Sequence, residues 1–296
     1  MKYLTSKEIS KIWKISDRSV RNYCQQGRVP GSFLDGKIWM IPEEASKPIR
    51  QIRHIVKERT LLDVLLDEKS NHLKGGIYHR LQIEMTYNSN LIEGSKLSHD
   101  QTKHIFETKT IGIVDGTINV DDIIETVNHF ACIDLVIDLA KTKLNESIIK
   151  QLYFVLKSGT FDNMKPWFKV GDYKIIENEV GGMATTLASK VKEEVKKLLA
   201  WYNSLDKITI ESIIEFHKRF EAIHPFQDGK GRVGRLIMLK ECLKYNFVPI
   251  LITDEYKQFY YRGLREWDNE KGYLLETCLF GQDIMKKYLD YFKIKY

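Results

Sequence analysis

Twelve consecutive residues, His224-Pro225-Phe226-Gln227-Asp228-Gly229-Lys230-Gly231-Arg232-Val233-Gly234-Arg235, combine a base, a carboxylate, glycines and cations. An imidazole titrates near neutrality, so His224 is suited to take or give a proton. Asp228 offers an oxygen ligand for a hard divalent ion such as Mg²⁺. Gly229-Lys230-Gly231 lets the backbone turn its N–H groups inward just ahead of a helix, which is the chemistry of a phosphate nest. Arg232 and Arg235, three apart in the first turn of that helix, add two forked donors that match phosphate oxygens. Each of these residues alone reads as an ordinary cap or surface group. Their density in one loop points to phosphate chemistry.

The loop lies between two amphipathic segments, one carrying Ile213, Ile214, Phe216 and Phe220, the other Val233, Leu236, Ile237 and Leu243. Rigid helices therefore hold it on both sides. Apolar stripes at helical spacing also run through 58–67, 77–92, 98–108, 121–141, 145–157, 186–202, 208–223, 231–246, 255–267 and 273–292, which predicts a mostly α fold. Tyr202, Trp267, Tyr288 and Tyr291 recur on these stripes and are expected in the core or between helices. Strand signals gather only at 168–183, where Tyr173-Lys174-Ile175-Ile176 and Val180 flank Glu177-Asn178-Glu179 and Gly181-Gly182 follows. This predicts one hairpin, with its outer strand at Tyr173–Ile176.

With 296 residues, 43% hydrophobic and 29% charged, the chain is long enough for about two domains, and disorder, collagen and low complexity are excluded. Apolar runs break well before the ~18 residues of a membrane span, and the first residues offer no uninterrupted apolar segment to a secretion signal. A cytoplasmic protein with no membrane partner is expected. Cys24, Cys132, Cys242 and Cys278 are far apart, arguing for ordinary reduced thiols rather than a zinc site or disulfide scaffold. The net charge is +6, but residues 1–50 hold 10 Lys/Arg against 5 Asp/Glu while the rest is nearly balanced. That asymmetry predicts a small module with an anionic partner, residues 1–48, joined to a larger domain, 49–296.

In the module, Thr5 and Glu8 form a capping box for a helix containing Ile9, Ile12 and Trp13. Ser16 caps a second helix from about Asp17 to Gln25, stopped by Gly27. Val20, Tyr23 and Cys24 make its inward stripe. Arg18, Arg21, Asn22 and Gln25 fall at i, i+3, i+4 and i+7 on the other side, and these are residue types that contact phosphates and base edges. A short hairpin between Gly27 and Pro42 completes a winged helix-turn-helix. This segment resembles the DNA-binding domains of the excisionase and MerR-like group, on its G-R-V-P-G and W-M-I-P elements. The resemblance implies double-stranded DNA as a partner, and a homodimer is expected because one short helix reads few base pairs.

The loop 224–235 resembles the H-P-F-x-[DE]-G-N-G-R-x-x-R signature of the Fic (filamentation induced by cAMP) family, and the likeness extends over roughly 55–290. The resemblance implies an all-helical Fic domain with one β-hairpin flap. The activity it implies is protein adenylyltransfer, the movement of AMP from ATP to a Ser, Thr or Tyr hydroxyl of a target protein. His224 would then be the base and Asp228 would hold Mg²⁺. Gly229, Lys230 and Gly231 would cradle phosphates, with Arg232 and Arg235 at the β- and γ-phosphates. Lys230 departs from the family's Asn, which leaves open transfer of another phosphate-containing group. Ser89-Asn90-Leu91-Ile92-Glu93-Gly94 matches the family's [ST]-x-x-x-E-[GN] inhibitory motif, on a helix near 77–94. In that arrangement Glu93 pairs with Arg235 and blocks the γ-phosphate site. The strand Tyr173, Lys174, Ile175, Ile176 would dock the target by β-addition. The other reading is a DNA-binding regulator whose Fic domain only senses nucleotide. The presence of both His224 and Asp228 favours the enzyme.

Overall fold

A computed structural model describes residues 2–48, 59–112, 117–180 and 183–296. At the N-terminus, β1 (Tyr3–Thr5) leads into α1 (Ser6–Ile12), α2 (Asp17–Gln25), β2 (Phe33–Asp35) and β3 (Ile38–Pro42). Thr5 and Glu8 cap α1 reciprocally and Ser16 caps α2, as their spacing predicts. The strands form an antiparallel sheet in the order β1-β3-β2, with Tyr3 opposite Pro42 and Asp35 opposite Ile38. Ile9, Trp13, Val20, Tyr23, Val29 and Ile41 close a separate small core.

The rest is helical: α3 (Leu61–Ser70), α4 (Ile77–Ile92), α5 (His99–Thr108), α6 (Val120–Asp138) and α7 (Glu146–Lys157), then α8 (Ala188–Asn203), α9 (Ile210–Ile223), α10 (Lys230–Lys244), α11 (Lys257–Arg265) and α12 (Gly272–Tyr291). These follow the apolar stripes closely. Helix α10 is buried on all sides from Gly231 to Leu243, so it is the axis against which α6, α7 and α9 pack. The apolar residues of α10 join those of the surrounding helices in one core. No helix among the described residues is long and apolar enough to cross a membrane. All four cysteines are buried and unpaired.

Two expectations need correction. Tyr173–Ile176 is not a strand. The hairpin is shorter and later, β4 (Glu179–Val180) with β5 (Met183–Ala184), pairing Glu179 with Ala184 and Val180 with Met183. The Gly181-Gly182 turn lies outside the described residues. The physical reason is that the Lys174 N–H already donates to the Pro225 carbonyl at 2.9 Å, tying that segment to the 224–235 loop instead of to a strand partner. Tyr202 and Trp267 are buried and Tyr288 packs on the core, but Tyr291 is 79% exposed at the end of α12, where the apolar stripe has run off the core.

Candidate active site

Helix α9 ends at His224, whose backbone is left-handed (φ 53°), and α10 begins after Gly229, also left-handed (φ 76°). The chain thus turns twice within six residues. Phe226 pins the turn: it is fully buried, stacked on Tyr153 at 3.9 Å between ring centroids and flanked by Phe220 and Tyr173. The nest is therefore the N-terminus of α10 itself, with Gly229 as N-cap and Lys230, Gly231 and Arg232 in the first turn. Their N–H groups have no partner within the helix and point out toward an incoming anion.

That anion position is already taken by a carboxylate. A Cβ built on Gly231 would lie 2.2 Å from Glu93 Oε1, so the Glu93 side chain rests directly on the bare glycine backbone. Arg235 Nη2 donates to Glu93 Oε1 at 2.7 Å and to the Ser89 carbonyl at 3.0 Å, while Nε donates to Ser89 Oγ at 3.0 Å. Helix α4 ends at Ile92, with Glu93 as its C-cap and Gly94 left-handed (φ 101°) beyond it. Burial pushes the Glu93 carboxyl up, but Arg235 and then Arg232 outweigh it and hold it below the usual range. Arg235 Nη1 and Arg232 Nε are buried with no hydrogen-bond partner, which leaves two donors available beside the nest.

His224 Nδ1 lies 3.0 Å from the Phe226 carbonyl and 2.9 Å from Asn178 Nδ2. The carbonyl can only accept, which puts the proton on Nδ1 and leaves Nε2 its lone pair as a base; the Asn178 amide then donates to the same Phe226 carbonyl at 3.4 Å and not to Nδ1. Burial, then the charges of Lys230 and Lys174, push His224 down to about 4, so the ring is neutral at physiological pH. Asn178 is in turn oriented by Lys174 Nζ at 2.6 Å and Thr185 Oγ1 at 2.7 Å, both on its Oδ1.

Asp228 is exposed and shares a charge cluster. Its Oδ2 accepts from Lys157 Nζ at 2.8 Å and from Arg232 Nη2 at 3.3 Å. Lys157 also reaches Glu125 and Asp162, and Arg232 Nη1 pairs with Glu125. Desolvation acts to raise Asp228, yet Arg232 and Lys157 bring it down to about 2. Among the described residues no group of three or more His, Cys, Asp or Glu could hold a metal ion. A single carboxylate such as Asp228 would fit Mg²⁺ only together with phosphates of a bound substrate, because that ion is commonly held by one or two carboxylates plus substrate phosphates.

The structure thus brings together His224, Asp228, Gly229, Lys230, Gly231, Arg232 and Arg235 with Ser89, Glu93 and Gly94. Lys174 is buried and backs the loop, Tyr173 packs under Phe226, and Ile175 and Ile176 are exposed. Sequence reasoning missed Lys157, Glu125 and Asn178. The four polar residues of α2 lie apart from this site: Arg18 pairs with Glu255 at 2.7 Å, Arg21 with Asp17 at 2.8 Å, Asn22 Oδ1 accepts from Gln26 at 3.4 Å, and Gln25 is exposed.

Residues 143–242 match the Fic/DOC family model. That stretch runs from the start of α7 to the end of the buried part of α10 and contains the whole loop. The chain is 26% identical over 213 residues to the protein adenylyltransferase Fic of Drosophila mojavensis, which covers 69% of this chain and 40% of that one. It is 25% identical over 207 residues to the protein adenylyltransferase fic-1 of Caenorhabditis elegans, covering 67% and 40%. The chain therefore spans about 40% of the length of the curated relatives it matches. A Fic domain containing signaling protein from Bacteroides thetaiotaomicron superposes with a TM-score of 0.62 at 23% identity, over 77% of this chain and 94% of that one. The helical body has the Fic-domain fold.

Proposed function

We propose that this chain is a protein adenylyltransferase of the Fic type, transferring AMP from ATP to a Ser, Thr or Tyr hydroxyl of a target protein. One observation carries the reading: an anion site at the N-terminus of a buried helix is filled by the chain's own carboxylate, Glu93, and the loop leading into that helix opens with a histidine held neutral. ATP phosphates would take the place of that carboxylate. The first-turn N–H groups of α10, Arg232 and Arg235 would bind them, and the partnerless Arg235 Nη1 and Arg232 Nε are the donors with bonds still to make. Asp228 would hold Mg²⁺ with the phosphates, and the ion would neutralise charge that builds on the departing pyrophosphate.

In the transfer step the target hydroxyl oxygen bonds to the α-phosphorus. The bond from that phosphorus to the bridging oxygen breaks, pyrophosphate leaves with the electron pair, and the hydroxyl proton passes to His224 Nε2. A base near pKa 4 is weak in the ground state, but a proton arriving on an imidazole whose Nδ1–H already donates to Phe226 is held by a fixed dipole. Glu93 makes the resting chain autoinhibited, because its carboxylate and a γ-phosphate compete for Arg235. The exposed Ile175 and Ile176 and the β4–β5 hairpin beside His224 are the surface for the target's acceptor segment. Residues 1–48 are read as a winged helix-turn-helix that binds duplex DNA.

The test is labelling. Wild type and Glu93→Gly are incubated with α-³²P- or γ-³²P-ATP, Mg²⁺ and cell extract. Protein-bound label from α-³²P only, lost in His224→Ala, is the expected result. Label from γ-³²P would mean phosphate transfer, and equal labelling by His224→Ala would refute the base. A chain that binds ATP in every variant and labels nothing would favour the nucleotide-sensing reading.

A further inference from the structure

The basic face of α2 is turned toward the helical body. Arg18 Nη1 lies 2.7 Å from Glu255 Oε1, and its guanidinium stands 4.1 Å above the Tyr256 ring. Both partners belong to one 3₁₀ turn, Asp254–Tyr256, that leads directly into α11. Elsewhere the Tyr23 hydroxyl donates to Glu276 of α12 at 2.8 Å in a buried bond, and Lys47 pairs with the same carboxylate at 3.3 Å. The turn between α1 and α2 abuts the start of α12, where a Cβ on Gly272 would stand 3.0 Å from the Lys14 carbonyl. Arg21, Asn22 and Gln25, with Lys37 from the β2–β3 hairpin, line a cleft of about 870 Å³ whose other wall includes Tyr87 and Leu91 of α4.

A cleft of that volume is the size of a small-ligand pocket. A DNA major groove must admit the whole exposed side of a recognition helix. A duplex therefore cannot reach Arg18 while the 254–256 turn covers it. Glu255 is a carboxylate placed where a backbone phosphate would go, and either anion satisfies the same guanidinium. The Arg18–Glu255 pair is also partly solvated, with side chains 38% and 65% exposed, so it exchanges at small cost.

We propose that the α2 face is a contested docking surface, held by the chain's own Asp254–Tyr256 turn and taken by duplex DNA only when that turn is displaced. The inference rests on the reading of residues 1–48 as a DNA-binding module and adds its regulation. The displacement has a route into the active site. The turn continues into α11, where the Tyr261 hydroxyl donates to the Ile92 carbonyl at 3.3 Å, one residue before Glu93. Loosening the turn thus loosens a bond at the end of α4.

The experiment uses the full chain and a fluorescein-labelled duplex of about 20 base pairs, long enough for two half-sites, with anisotropy read across a salt series. Glu255→Gln with Tyr256→Leu should tighten duplex binding about tenfold, the combined worth of an exposed ion pair and a cation–π contact. Tyr256→Leu alone changes no charge and should give part of that gain, whereas Arg18→Ala should weaken binding. In wild type, added duplex should speed amide hydrogen exchange over 254–261. If wild type binds duplex in a salt-sensitive way, but the double variant binds no tighter and exchange at 254–261 is unchanged, the competition is wrong and the DNA reading stands. If no variant binds duplex even at low salt, the DNA reading falls and the competition with it.

Discussion

Replacing Glu93 by glycine is the sharpest perturbation of the site under the proposed blockade, because its carboxylate is bonded to Arg235 and rests on Gly231. Two unit charges about 4 Å apart at an effective dielectric near 20 attract by about 4 kcal/mol. That is a ceiling on the blockade, since an arriving phosphate recovers most of the same attraction to Arg235. A floor of ~1.4 kcal/mol corresponds to tenfold in rate, so Glu93→Gly should raise labelling at saturating ATP by between about tenfold and about a thousandfold. Glu93→Gly with Arg235→Ala should fall back, because the freed arginine is then missing. Gly231→Ala separates two effects that Glu93→Gly merges. Its new methyl group would meet Glu93 Oε1 at 2.2 Å and Arg235 Nη1 at 3.1 Å, breaking the ion pair while filling the anion site, so it should not activate. The assay is initial-rate transfer of label from α-³²P-ATP to a competent target. Glu93→Gly no faster than wild type, or Gly231→Ala as fast as Glu93→Gly, would refute the blockade.

Four further outcomes follow from the same geometry. Lys230 lowers the His224 pKa, so Lys230→Asn should raise it from about 4 and move the acidic limb of the rate profile to higher pH; an unmoved limb in a pH–rate series would remove Lys230 from that role. Glu221, half-buried on α9 near Arg235 with a buried, partnerless Oε1, is pushed up by desolvation to about 7. A carboxyl whose folded pKa lies above its unfolded value costs stability as pH rises from about 4.5 through 7. Glu221→Gln should thus flatten the loss of chemical stability between pH 5 and 8, by at most about 3 kcal/mol. Lys157→Met would remove one cation from Asp228, Glu125 and Asp162 while Arg232 still pairs with the first two and Lys165 with the third, so about 1.5–3 kcal/mol of stability should be lost in urea unfolding. Asn178→Asp would place an acceptor opposite His224 Nδ1, stabilising the imidazolium; the His224 titration followed by NMR should move up.

The helices and the 224–235 loop were legible because each is a local signal. Apolar residues at a period of 3.6 mark the helices one at a time, and 224–235 carries base, carboxylate, nest and arginines in one run. What the sequence hides is who stands opposite whom. Lys157 reads as a last-turn lysine favourable to its helix dipole, and only the packing of α6 against α7 and α10 reveals that it bonds to Glu125, Asp162 and Asp228 at once. Asn178 reads as a turn residue. Tyr173-Lys174-Ile175-Ile176 has the β-propensity of a strand, but its Lys174 N–H is spent on Pro225.

The same limit applies to charge. A guanidinium is recognisable in sequence as a group that wants an anion, but phosphate and carboxylate meet that want equally. Two arginines that read as phosphate ligands are each met by a glutamate from far along the chain, Arg235 by Glu93 and Arg18 by Glu255. The first pairing could be anticipated because a short motif announces it, whereas nothing around Glu255 does. The difference in burial then separates their consequences. Arg235 and its carboxylate lie against a closed helix end, 5% and 23% exposed, so breaking that pair must be offset by a ligand that binds there. Arg18 and Glu255 are only partly shielded, 38% and 65% exposed, so a polyanion that displaces the 254–256 turn competes for that arginine with little else to overcome.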